Sequence, residues 1–170
     1  IRNCLVGSEM CIRDSIFLLL VIINFSACGF QLRQSASLPQ SMLNTYIETR
    51  DNRSIFSRKL KQQLLSNNAK VVDKRTNASA IIKILEDETG RRVLSVSARN
   101  IATEYEIFYR IVFSLVENGK NSIEPRELVL TRNYTFNEKL VLGKSQEEEM
   151  LTDALAENLV RMVLNQISSR

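Results

Sequence analysis

The chain has no histidine in its 170 residues, which removes the commonest general base and a frequent metal ligand together. No Gly-rich phosphate loop or metal-ligand cluster takes its place, and only three cysteines occur, Cys4, Cys11 and Cys28. With no histidine to activate a serine, no enzyme is expected and no metal site is read. Glu104 and Glu106 share one strand face as a carboxylate pair, but solvent-facing charge is the simpler reading. Long apolar runs are missing too. The ten residues Ile16 to Phe25, broken only by Asn24, fall well short of the roughly twenty needed to span a bilayer. Nor does charge of one sign accumulate: 23 basic residues face 19 acidic ones along the whole length, a net of +4. A nucleic-acid footprint would need a clustered patch and a basic motif, so that class is set aside. No second domain, internal repeat or low-complexity segment is visible.

What is present begins with that short apolar run, whose length suits the hydrophobic region of a secretory signal. It leads into Ser26-Ala27-Cys28-Gly29, which resembles the lipobox of bacterial lipoproteins, with Phe25 where the pattern prefers Leu. The resemblance implies cleavage before Cys28, covalent acyl chains on that cysteine, and no other cofactor. Residues 1–27 are therefore read as a signal peptide. Their first fifteen or so, which open Ile-Arg-Asn-Cys and carry Glu9 and Asp14 ahead of the apolar core, are read as a truncated or mis-joined start that includes Cys4 and Cys11. A mature chain with one cysteine has no internal disulfide, so packing must hold a single core of ordinary size.

Residues 28–42, with Ser, Gln and Pro39, read as a lipidated tether, and residues 43–170 as one domain. Alternation from Leu43 to Thr49 predicts a first strand. Asp51 to Ser54 supply turn and N-cap chemistry, and Ile55, Phe56, Leu60, Leu64 and Leu65 predict a helix over about 54–67, ended by Asn67-Asn68. Val71-Val72 and Ala80 to Leu85 form a second strand region, broken by a bulge or a loop at Asp73 to Asn77. Thr89-Gly90-Arg91 is expected to turn into Val93 to Ala98, and Arg99-Asn100 to begin another turn. The firmest signal is the alternation of Tyr105, Ile107, Tyr109, Ile111, Phe113 and Leu115, a long strand with one buried side. A hairpin connection at Glu117 to Asn121 precedes a strand over Arg126 to Phe136. Ser145 and Glu148 have capping-box spacing, and Leu151, Leu155, Leu159, Met162, Val163 and Ile167 form the stripe of a second helix over about 146–168. The expected fold class is α+β, two helices packed on one face of a mixed, mostly antiparallel sheet in the order β-α-β-β-β-α.

Taken together, Cys28-Gly29-Phe30-Gln31-Leu32-Arg33, the Leu38-Pro39 tether, the Thr103-Glu104-Tyr105 lead-in to the long strand and the Leu142-Gly143-Lys144 loop before an acidic helix start resemble the LptE family of lipopolysaccharide-assembly lipoproteins. The resemblance covers residues 28–170. It implies a non-enzymatic lipoprotein on the periplasmic side of the outer membrane, anchored through its lipid, with no nucleic-acid partner. Its implied partners are an LptD-type β-barrel, which it plugs and helps to assemble, and lipopolysaccharide in transit to the outer leaflet. Gly29 is similar to the residue after the cysteine in lipoproteins routed to the outer membrane. The alternative is a lipoprotein scaffold docking a soluble partner or the cell wall.

Two regions carry this reading. On the outer sheet face Phe108, Val112, Val129, Thr131, Asn133 and Thr135 are more apolar and uncharged than solvation needs, which suits a barrel wall, although single exposed apolar residues are ordinary. Arg91, Arg92 and Arg99 are placed at turns, and Lys139 and Lys144 in the loop before the second helix. If these loops converge, the five form a lipopolysaccharide-binding site, since guanidinium groups hold phosphate by paired charge-assisted hydrogen bonds and helix N-terminal amides add to it. The plain alternative is that such loop cations are only solvated.

Overall fold

A computed structural model describes residues 38–135 and 141–169, the backbone alone being described for residues 141–145. Cys28, the expected signal and acylation sites, the first part of the tether and Lys139 lie outside the described residues.

The chain enters through a 3₁₀ turn, Gln40–Leu43, whose Met42 is fully buried, so the core begins before the first strand. Strand β1 (Asn44–Glu48) is anchored there by Thr45, whose buried hydroxyl donates to the Met42 carbonyl at 2.6 Å. Helix α1 (Ile55–Ser66) follows, and its start uses the expected cap: Ser54 Oγ accepts from Ser57 N at 3.0 Å. Phe56, Leu60 and Leu64 turn inward, while Leu65 stays exposed. Asn68, at φ 61°, ends the helix in a left-handed cap. Ala69 N donates to Leu64 O, and Asn68 N to Leu65 O.

Short strand β2 (Lys70–Val71) pairs parallel to β1 on one side, and β3 (Ala80–Val96) pairs parallel to it on the other. Strands β4 (Ala102–Glu117) and β5 (Lys120–Thr135) complete the sheet antiparallel, in the order β2-β1-β3-β4-β5. The β4–β5 loop is Asn118-Gly119, both at positive φ, as a two-residue hairpin with matching twist requires. Helix α2 (Val141–Ser168) returns along β4 and β5 and packs on α1. The expected α+β architecture is thus present, two helices against a mixed five-stranded sheet.

One strand overturns the local reading. Thr89-Gly90-Arg91 is no turn: β3 runs unbroken through it, with Gly90 opposite Phe108. A β-bulge at Leu85 explains the error, because Ile84 pairs with Phe113 but Glu86 with Val112. The extra residue reverses the alternation, so Ala80, Ile82 and Ile84 face the core, whereas from Asp87 to Val93 the odd-numbered residues take that side of the sheet. No single period fits such a strand. Gly90 is needed for contact, not for a turn: a Cβ there would sit 2.9 Å from the Phe108 ring. The register shift at Ile123 to Arg126 likewise accommodates Pro125, which has no N–H to give a ladder.

Candidate functional site

Pairing of Val96 with Ala102 and of Glu104 with Thr135 brings the β3–β4 turn and the end of β5 to one end of the sheet, where α2 also begins. The turn is closed by Ser97 N to Ile101 O at 2.7 Å and Asn100 N to Ser97 O at 2.9 Å, with Asn100 at φ 59°. Arg99 sits at its apex, exposed and without an ion pair among the described residues. Two register shifts, after Val93 and after Ser95, loosen the ladder behind it and leave Val93 and Val96 51% and 56% exposed, beside the exposed Leu94 and Ile101. The result is an apolar tip crowned by one arginine.

Of the five expected cations, the structure therefore places Arg99 as expected. Lys144 lies not in a loop but in the first turn of α2, at the same end. The helix starts at Val141, so Ser145 and Glu148 do not form the expected capping box. Arg91 and Arg92 are not at turns. They sit mid-strand in β3, and adjacency in a strand sends them to opposite faces. Arg92 pairs with Glu106 on the outer face, where a simple solvent-facing carboxylate was expected.

Arg91 points to the helix side and into a four-element cluster. Its Nη1 donates to Glu148 Oε2 of α2 at 2.9 Å, its guanidinium lies 5.3 Å from the centre of the Tyr105 ring, and Tyr105 stacks on Tyr134 at 5.6 Å. The Tyr134 hydroxyl donates to the same Glu148 oxygen at 3.3 Å. Tyr134 first and Glu148 second hold the Arg91 pKa above its ordinary value, while burial, then the Glu148 charge, raises that of Tyr134. The sequence hint that was missed is Glu148 itself, which competes for Arg91 as an internal anion.

On the outer face the expected uncharged residues do share one side, since Phe108 pairs with Thr131, Glu106 with Asn133 and Val112 with Glu127. Between them lies an unforeseen cluster in which Arg110 meets Glu86, Glu88 and Glu127 from all three long strands. An open groove of about 880 Å³ runs between α1 and α2, lined by Ile55, Arg58, Met150, Asp153 and Glu157 among others. Its acidic rim disfavours a phosphate. Among the described residues no group of three His, Cys, Asp or Glu side chains could hold a metal ion, and no helix is long and apolar enough to cross a membrane.

An LPS-assembly lipoprotein LptE of Yersinia pestis (strain Pestoides F) is 22% identical over 149 residues, covering 87% of this chain and 72% of that protein. The solution structure of a lipoprotein B from Nitrosomonas europaea is similar with TM-score 0.69 and 32% identity, over 83% of this chain and 91% of its own. The rare lipoprotein B of Shewanella oneidensis, at TM-score 0.65 and 24% identity over 74% and 94%, bears on the fold alone. The LptE family model, described as lipopolysaccharide-assembly, matches residues 43–167, from the edge of β1 to the last turn of α2, and the chain belongs to that family.

Proposed function

We propose that this protein is an outer-membrane lipoprotein, acylated at Cys28, that occupies and supports an LptD-type β-barrel and binds lipopolysaccharide on its way to the outer leaflet. Family membership gives the broader role in lipopolysaccharide assembly. The finer reading is supported by the tip, where Arg99, without an ion pair among the described residues, shares the end of the sheet with exposed Val93, Leu94 and Val96, at the end where α2 and Lys144 begin. A phosphorylated lipid offers both complements, an anion for the cations and the α2 amides and acyl chains for the apolar residues. Arg91 and Arg92 already have carboxylate partners, so Arg99 and Lys144 carry the reading.

The test replaces Arg99 and Lys144 by Asp in one variant and Lys61 and Lys83 by Asp in a control. Binding of purified lipopolysaccharide should fall clearly in the first variant and much less in the control, with the thermal midpoint and barrel association unchanged. Equal losses in both would reduce the interaction to general electrostatics and remove the site.

A further inference from the structure

We infer that Arg91, Tyr105, Tyr134 and Glu148 form a latch that fixes the opening turns of α2 against the sheet, making Arg91 a positioning residue and not a lipopolysaccharide ligand. The four residues come from β3, β4, β5 and α2, one from each. Register accounts for three of them. Val93 opposite Tyr105 and Tyr105 opposite Tyr134 set a lateral row, and Arg91, two residues back on the same face, reaches over it. Glu148 then closes the row from above, accepting from both Arg91 and Tyr134 through one oxygen.

The latch matters because the described apolar seam of α2 thins toward Glu148. Among its described side chains full burial begins at Leu155, and Leu151 is only partly buried. Glu148 lies seven positions before Leu155, about two helical turns, and over that stretch the ion pair and the tyrosine hydrogen bond add to the partly buried Leu151 in holding α2 to the sheet. Lys144 lies one turn before Glu148. Moving the helix start moves Lys144 relative to Arg99, so this inference rests on the proposed lipopolysaccharide reading for its functional consequence, though not for its structural one.

The test uses the intact protein in four forms: wild type, Arg91→Glu, Glu148→Arg and the double swap. The first readout is amide hydrogen exchange at Ser145 to Thr152, whose N–H groups lie beyond the first turn and so have acceptors within the helix. The second is lipopolysaccharide affinity. Each single reversal should speed exchange in that segment, leave the core of α2 protected, and weaken binding roughly two- to fivefold, as loss of a half-exposed ion pair allows. The swap should return both readouts toward wild type. Unchanged exchange in the single variants would remove the latch. Recovery of exchange without recovery of binding would make Arg91 a direct ligand and overturn its positioning role. If wild type binds no lipopolysaccharide, the proposed function fails, while the exchange data still decide whether the latch exists.

Discussion

Tyr109 shows how much one side chain of the long strand does. Its ring is buried in the core, and its hydroxyl lies at the start of α1, where it donates to Asp87 Oδ1 at 2.9 Å and accepts from Phe56 N at 3.3 Å. Phe56 N–H belongs to the first turn of α1 and has no acceptor within the helix, so Tyr109 caps from the sheet what Ser54 caps from the chain. Tyr109→Phe should cost about 1–3 kcal/mol, because it strands a buried donor and deprives Asp87 of its hydrogen. Burial first, and Asp87 second, raise the Tyr109 pKa well above the ordinary tyrosine value of 10.0. A group whose folded pKa is raised contributes stability that is complete below its unfolded pKa and is lost as pH rises through the folded one. Denaturant unfolding should therefore show stability falling above about pH 10 in the wild type and falling less steeply in Tyr109→Phe. A parallel decline in both would assign the alkaline loss to other groups. The sequence placed Tyr109 on the buried side of its strand, but its hydroxyl partners lie 53 and 22 residues away, and no local pattern reports them.

Among the elements, α2 and β3 are opposite cases. The helix repeats one period throughout, so Leu155, Leu159, Val163 and Ile167 were legible and are buried. The tertiary fold adds Ala156, Val160 and Leu164 and leaves Met162 exposed. Leu159→Ala should lower unfolding free energy by about 2–5 kcal/mol, through lost transfer energy and the cavity left behind. Met150, 73% exposed, should tolerate Ala within about 0.5 kcal/mol. Equal effects in chemical denaturation would contradict the burial assigned to α2. Strand β3 changes phase at Leu85 and loosens again near Leu94, so its two halves alternate in opposite senses and the glycine between them resembles a turn. The same phase change turns Arg91 toward α2 and Arg92 away from it. That splits a cation pair which the sequence had grouped, and it decides which arginines remain for a ligand.

Across the whole molecule, the outer sheet face presents Phe108, Val112 and Val129 around the Arg110 cluster, with the apolar tip at one end. Under the proposed function this surface and tip lie against a barrel. Extraction in mild detergent through a tag after Arg170 should recover one outer-membrane β-barrel in near equal amount. Recovery of the lipoprotein alone, or with soluble periplasmic proteins only, would favour the scaffold alternative.

The sequence alone determined the elements with an unbroken period: α1 with its Ser54 cap and Asn68 stop, the buried side of β4, the Asn118-Gly119 hairpin and the stripe of α2. In each, the burial of neighbours three, four or two residues apart is written within one short segment. It also carried the family resemblance and the placing of Arg99 at a turn. Tertiary structure alone decided that β1 pairs parallel on both sides, that Met42 joins the core, and that Arg110 gathers three carboxylates. It also decided that Glu148 answers Arg91 and not its own helix start. Those outcomes depend on registers between distant strands and on a one-residue bulge that reverses the side chains from Glu86 to Val93, and neither quantity exists until the strands are paired.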